Sequence, residues 1–503
     1  MKRIVSVLLI CILLLTGCSW EEPDYLPVGD ALLGENETAP PETVPSAHEL
    51  SMVYYPDRSL NPYQCTDYTN RALFALIYQG LFTVSREYEV YPVLCKSYNV
   101  SADMKTWTFQ IADALFSDGT AVTAEDVRAS LQASVGSPWY ASRLQHVLSI
   151  STLADSVVLQ LDTACENLPI LLDIPIVKAS QTGAAQPLGT GPYLLDGSQL
   201  RRQAGWWCDA SLPVSAQTIP LSVAESPATV RDQFELSQIG LVCTDPGSLD
   251  YVDFRCDYEL WDSENGLFVY LICNEKSKLL ENESIRTALT HAIDRDALTK
   301  DYYRGFARSA LLPASPWSPY YDTKLAEDFG YDPQKLTDAV TAAQLEETDL
   351  VLMVSTADLS RRQAAQAIAK MLTACGLTTT VKLVTPEKLD EELRWGEYDL
   401  YLGQTRLSAN MDLSAFFSEN GTLSYGGIDD AGIYYMCLES LANAGNYYSL
   451  HKLVMESGRL CPILFQCYAI YGTRGGLSGL EPARDNLFFY HLGITLEQAE
   501  TSE

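Results

Sequence analysis

Alternating and helically spaced apolar residues divide the chain into short elements of both kinds. Thr106-Trp107-Thr108-Phe109-Gln110-Ile111 alternates polar with apolar, the period of a half-buried strand. Leu73, Ala75, Leu76, Ile77 and Leu81, with Gly80 near the end, predict a helix over 70–81. Thr123-Ala124-Glu125-Asp126 has the form of a capping box, with Asp126 in place of Glu or Gln, and opens a helix expected to run to about residue 133. From Asn282 onward Ile285, Ala288, Leu289, Ala292 and Ile293 recur at helical spacing. Asp294 is then expected to cap a second helix that stops by Gly305. Segments 49–55, 350–355, 378–384 and 397–402 read as strands, and 361–375 as a helix between two of them. This alternation predicts an α/β (mixed α+β) protein, and no repeat of solenoid length interrupts it.

The first residues follow a different pattern. Lys2 and Arg3 precede an apolar stretch from Ile4 to Leu15, which is too short for a comfortable membrane span and has the layout of a secretory signal. Its end, Leu15-Thr16-Gly17-Cys18, resembles a bacterial lipoprotein signal, in which the cysteine takes a lipid and becomes the new N-terminus; the alternative is an ordinary signal cut nearby. Lipidation at Cys18 would tether the protein to the cell membrane on its outer side. Residues 19–46 carry five prolines, seven acidic residues and no Lys or Arg, so 18–45 is expected to be an acidic, Pro-rich tether after a signal peptide at 1–17.

Composition narrows what hangs from that tether. The chain has 503 residues, 47% of them hydrophobic, which predicts two or more lobes rather than one core. A formal net charge of -31, from 34 basic and 65 acidic residues, argues against a nucleic-acid partner. Beyond Cys11 and Cys18, eleven of the 13 cysteines remain; none forms a Cys-x-x-Cys, and most are expected to be buried free thiols.

Eight motifs, in order, resemble the extracytoplasmic solute-binding proteins of the peptide and nickel class of ABC importers. They are Leu60-Asn61-Pro62-Tyr63, Leu76-Ile77-Tyr78-Gln79-Gly80-Leu81, Lys105-Thr106-Trp107-Thr108-Phe109, Phe116-Ser117-Asp118-Gly119-Thr120 and Thr123-Ala124-Glu125-Asp126-Val127. Gly189-Thr190-Gly191-Pro192-Tyr193, Arg286-Thr287-Ala288-Leu289 and Ala292-Ile293-Asp294-Arg295 complete the set. The resemblance implies a bilobed periplasmic-binding-protein-like fold with hinge strands and an inserted subdomain in the first lobe. Mapped onto this chain, the first lobe takes 46–65, 187–270 and 470–503, the subdomain 66–186 and the second lobe 271–469. Lobe crossings are expected near 268–274 and 465–471. Trp107, Phe109 and Phe116 are expected in the core, Gly189 and Gly191 in a tight backbone path, and Arg286 and Arg295 in surface or interlobe ion pairs.

The resemblance also implies that a ligand lies between the lobes. Peptide-binding members hold the peptide's amino group with an aspartate after the Tyr-Asp strand, where this chain has Leu407 or Ser408. Gln404 or Thr405 stands in place of a tryptophan, and Arg406 adds a positive charge suited to a carboxylate. The substrate-binding candidates are therefore Arg406 and Gln404, with Asn410 or Asp412 nearby, Asn61 and Tyr63 on the first lobe, and Trp395. Pairing of Arg406 with a local acid such as Asp412 is the competing expectation. The implied partners are a small polar solute, peptide-like or carboxylate-bearing, and ABC permease subunits, with the protein itself a monomer.

Other functions find less support in the residues. His48, His146, His291, His451 and His491 are isolated in sequence, so no metal site and no cofactor is expected. Gly476-Leu477-Ser478-Gly479 is not a nucleophile elbow and His-Glu-x-x-His is absent, so an enzyme is not expected. A lipoprotein that signals to a membrane sensor without transport, or an extracytoplasmic hydrolase, remains the alternative.

Overall fold

A computed structural model describes residues 50–496 except 209, 248–252, 346–347, 475–476 and 478. The leader, Cys18 and the tether of the sequence reading lie outside the described residues. The described chain opens with β1 (Met52–Val53) and two single helical turns, Tyr68–Arg71 and Phe74–Ile77. A hairpin of β2 (Phe82–Val84) and β3 (Val90–Pro92) follows. Next come β4 (Cys95–Val100), β5 (Thr106–Ile111), β6 (Val147–Leu153) and β7 (Ser156–Leu161), which form an antiparallel sheet in the order β4-β5-β7-β6. In β5 the apolar positions Trp107, Phe109 and Ile111 are buried and the intervening ones are not, as alternation demands. Helix Ala124–Ser134 lies between β5 and β6, and its capping box is complete: Thr123 N donates to Asp126 Oδ2 at 2.9 Å, and Asp126 N to Thr123 Oγ1 at 3.3 Å.

The remaining strands build one large sheet. In chain order they are β8 (Tyr193–Asp196), β9 (Gln199–Arg202), β10 (Thr218–Ser222), β11 (Leu241–Thr244) and the 16-residue β12 (Tyr258–Cys273). After β13 (Ala307–Ser309) come β14 (Thr348–Ser355), β15 (Leu377–Val384), β16 (Leu400–Arg406) and the 14-residue β17 (Leu460–Thr473). Their order is β15-β14-β16-β12-β17-β11-β1-β10-β9-β8, with β13 added on β17. Helix Leu359–Ala374 joins the parallel strands β14 and β15, the connection that parallel pairing requires.

The two long strands divide this sheet into halves. The first part of β12 and the last part of β17 pair with each other beside β11, whereas the second part of β12 pairs with β16 and with the start of β17. Between these parts the ladder slips: Glu264 faces Cys467 and Phe268 faces Phe465, so three residues of β12 oppose Gln466 alone. Gly266 supplies the positive φ of 75° inside that bulge. From Phe268 to Cys273 every residue of β12 is buried, because both faces of the sheet are covered there.

Sequence and structure part at two places. The helix expected over 70–81 is two turns separated at Ala72 and Leu73, and Tyr78 is extended. Backbone pairing with distant segments explains the break: Gly191 N donates to Ile77 O at 2.9 Å and Ile176 N to Gln79 O at 2.8 Å, so residues 77–79 serve a bridge instead of a helix. Arg286 forms the expected kind of ion pair, with Glu275 at 3.6 Å, whereas Arg295 is held by other groups. Both are buried; Arg286 donates to Leu280 O at 2.7 Å and Ser457 O at 3.2 Å, and Arg295 to Pro462 O and Thr290 O at 2.8 and 2.9 Å. They tie their helices to the entry of β17, satisfying carbonyls that helix ends leave open.

The tight path expected for Gly191 is real. A β-carbon there would stand 2.5 Å from Leu76 O and from the carbonyl carbon of Ile77, backbone that cannot swing away. Gly191→Ala is expected to lower stability by about 2 kcal/mol or more, read as a drop in the urea midpoint. An unchanged midpoint would contradict this packing.

Candidate functional site

At the slipped ladder β16 meets the C-terminal segment and the region after helix Ala124–Ser134. Arg406, the last residue of β16, donates through Nη1 to Asn265 O in the bulge and lies 3.1 Å from Asp485 Oδ1. Its guanidinium stacks 4.0 Å over the ring centre of Trp139. One side chain thus touches the long strand, the C-terminal segment and the region after helix Ala124–Ser134. Tyr68 stacks on Tyr468 beside it, with ring centres 6.1 Å apart. Tyr68, Arg71, Tyr468, Arg484 and Asp485 enclose a cavity of ≈ 20 Å³, room for about one water. A neighbouring cavity of ≈ 100 Å³ is lined by Arg71, Tyr140, Arg143, Asp173, Asn486 and Tyr490.

Charge is unevenly placed here. Burial works to raise the Asp485 carboxyl, but Arg406, Arg71, Arg143 and Arg484 outweigh it and hold its pKa below the ordinary value. On the other side of Arg406, burial and the charge of Asp358 push Asp245 up to about 6. Burial also raises Asp358, the N-cap of helix Leu359–Ala374. Gln466 Nε2 donates to Gln404 Oε1 at 3.1 Å across β17 and β16. Arginines thus act on Asp485, whereas Asp245 feels the like charge of Asp358.

The expected site residues separate into three groups. Arg406 pairs with Asp485 and not with Asp412, and Gln404 accepts from Gln466. Asn410 and Asp412 are buried: Asn410 accepts from Ser408 Oγ at 2.7 Å and, through its backbone oxygen, from Tyr447. Asn61 and Tyr63 are buried in local hydrogen bonds, and Trp395 is exposed. Asn61 is fully buried, with its amide donating to Thr182 O and Ala184 O at 2.8 Å and its Oδ1 accepting from Tyr63 N at 3.0 Å. Tyr63 donates to Pro175 O at 2.7 Å, and Trp395 is 83% exposed at the end of helix Pro386–Trp395.

Asp412 has an unexpected partner. His146 Nε2 lies 2.9 Å from Asp412 Oδ2 and its Nδ1 2.8 Å from Asp162 Oδ1, while Gln145 also donates to Asp412. Burial disfavours the charged ring, yet Asp412 and Asp162 overcome it and raise His146 to about 8. This clasp joins the start of β6 to the loop after β16. Of the other histidines, His291 bonds Gly330 O at 2.8 Å, His491 stacks on Tyr91, and burial lowers His451 to about 3. Among the described residues no group of three His, Cys, Asp or Glu side chains is placed to hold a metal ion, and no helix is long and apolar enough to cross a membrane. Eight cysteines, from Cys65 to Cys467, are buried free thiols.

Asp485, Trp139, Asp245 and Asp358 escaped the sequence reading. Only the capping position of Asp358, before a helical pattern, carried a local signal.

Residues 89–424 match the middle part of the bacterial extracellular solute-binding proteins, family 5, and the chain belongs to that family. The glutathione-binding protein GsiB of Escherichia coli (strain K12) is 26% identical over 307 residues, 57% of this chain and 59% of its own length. The chain thus matches under two thirds of that relative. Two solved structures share the fold. The ABC transporter substrate binding protein CtaP of Listeria monocytogenes superposes with a TM-score of 0.70 at 18% identity, covering 87% of this chain and 96% of its own. NikZ of Campylobacter jejuni, in complex with Ni(L-His), gives 0.62 at 17%, covering 90% and 98%. The fold is thus the bilobed one of these binding proteins, and proteins of this family work outside the cytoplasm.

The His146 clasp has a defined pH sign. A histidine raised from 6.5 to about 8 contributes stability that is full below pH 6.5 and lost as pH rises through 8, about 2 kcal/mol in all. Urea midpoints of wild type are expected to fall between pH 6 and pH 9, and those of His146→Gln to lose most of that slope. Equal slopes for the two proteins would contradict the assignment.

Proposed function

We propose that this protein is the lipid-anchored, extracytoplasmic solute-binding component of an ABC importer. It captures a small polar solute between two lobes and delivers it to membrane permeases as a monomer, without catalysing a reaction. The lobes follow the division read from sequence, with 46–65, 187–270 and 470–503 against 271–469 and with 66–186 inserted. The anchor is lipid on Cys18. Membership of family 5 supports the transport reading, and relatives whose names give glutathione or Ni(L-His) as ligand support a small polar solute.

One observation carries the reading: Arg406 reaches from β16 to Asp485 and Trp139, linking three separate parts of the chain at the cleft. In this contact Asp485 stands where a solute's carboxylate would pair. A guanidinium grips a carboxylate with two parallel hydrogen bonds, and a solute that binds both halves favours the closed arrangement by its extra contacts. Solute exchange with Asp485 at Arg406 is then the closing step.

Native mass spectrometry of protein purified without refolding identifies the carried solute, and calorimetry with that compound tests the site. Arg406→Ala is expected to weaken binding at least tenfold, about 1.4 kcal/mol. Unchanged affinity would remove Arg406 from the site.

A further inference from the structure

His146 stands immediately before β6, and both of its ring nitrogens face carboxylates. Nδ1 lies 2.8 Å from Asp162 Oδ1, just beyond β7, and Nε2 lies 2.9 Å from Asp412 Oδ2, in the loop after β16. A neutral imidazole has one donor and one acceptor, so with a single proton it turns a lone pair toward one of the two carboxylates. With two protons it donates to both. The contact is therefore complete only for the imidazolium.

Asp412 depends on this partner. Its side chain is 2% exposed, and among the described residues His146 is the one cation paired with it. Its remaining bonds are neutral: Oδ1 accepts from Ser414 N at 2.8 Å and Oδ2 from Gln145. Other groups near the ring are occupied or uncharged. Arg143 and Cys165 line the same small void as His146 and Asp412, but Arg143 pairs with Asp173 and Asp485, and burial pushes the Cys165 thiol up to about 12. Burial likewise keeps Cys437 and Tyr447, which feel Asp412, protonated. On helix Ala124–Ser134, which packs on β6, Arg128 pairs with Glu125 and Asp126 closes the capping box.

Two more bonds cross the same seam: Glu166 N donates to Leu441 O and Ala444 N to Glu166 Oε2, both at 2.8 Å. The segment that carries His146 and Glu166 is tied on its other side to the first-lobe stretches, by Leu60 N to Ala185 O at 2.8 Å and Ser117 N to Gly189 O at 3.0 Å. Histidine is the side chain that titrates near neutrality, so the seam carries a proton-dependent fastening.

Resting on the solute-binding reading with its two lobes, we propose that His146 is a proton-operated latch between the inserted segment 66–186 and the second lobe. Doubly protonated, it fastens Asp412 and keeps the lobes together around solute; deprotonated, it lets Asp412 go and solute leaves faster. When the lobes part, the ring keeps Asp162 alone and holds its second proton less firmly. In the joined state burial works against the charged ring, yet Asp412 and Asp162 raise it to about 8. Closure therefore takes up a proton, and the latch is strong below pH 6.5 and lost as the pH passes 8.

Small-angle X-ray scattering of the full protein stripped of solute, between pH 6 and pH 9, reads the latch with the proton as its only ligand. The expected result is a radius of gyration that rises with pH through a midpoint between 6.5 and 8. His146→Gln is expected to abolish the rise, and Asp162→Asn, at a half-exposed side chain, to move the midpoint to lower pH. For protein loaded in its own cells, dialysis followed by native mass spectrometry is expected to show solute lost about threefold faster or more at pH 9 than at pH 6.5, and at equal rates in His146→Gln. A wild-type radius independent of pH, a rise that survives in His146→Gln, or an unmoved midpoint in Asp162→Asn overturns the latch and leaves the solute-binding reading standing. If the protein carries no solute, the solute-binding reading falls, and the scattering curves alone decide the latch.

Discussion

Everything in this molecule hangs on the pairing of β12 with β17. These two strands run through both halves of the sheet, so each half borrows its central hydrogen-bond ladder from the same pair. Slippage opposite Gln466 is where that ladder is weakest, and the glycine at position 266 allows the sharp backbone turn there. A sheet with an uninterrupted ladder would be stiff across its width. One with three residues opposing one can bend at that line while the flanking ladders stay intact. Buried charge gathers at the same line. Glu264 is 1% exposed and accepts from Ser315 Oγ at 2.6 Å and Tyr88 OH at 3.0 Å, which satisfies it without a direct ion pair among the described residues.

The electrostatics of the cleft contrast with those of the surface. A chain of net charge -31 carries its acids mostly in water, where an exposed pair such as Arg474 with Asp257 contributes little. Around Asp485, by comparison, four arginines approach one enclosed carboxylate. Taking such charges out of water is costly unless each finds a partner, so their arrangement responds to any group that replaces Asp485. A few steps away the sign reverses at Asp245 and Asp358.

Much of the frame was legible in the sequence because its signals are local. Alternation placed β5, spacing and caps placed the helices after Asn282 and Asp294, and the Thr123 capping box formed as read. The helix expected over 70–81 failed because Gly191 and Ile176, more than ninety residues away, claim its backbone. The burial of Arg286 and Arg295 escaped notice because most of their acceptors are main-chain carbonyls, which have no sequence signature. The site suffered most from the same limit. Arg406 could be singled out from its place after a strand, but its acid, Asp485, lies 79 residues further on in an irregular segment. His146 read as isolated because Asp412 is 266 positions away.

The central claim is that two halves of one sheet, joined by β12 and β17, close on a solute by bending at the slipped ladder. Small-angle X-ray scattering of the full protein tests it most directly, comparing protein that keeps its carried solute with protein stripped of it by mild denaturant and dialysis. The account predicts a larger radius of gyration after stripping and a return to the compact value when the purified solute is added back. Identical profiles for the loaded and stripped protein, with solute occupancy verified by mass spectrometry, would contradict it.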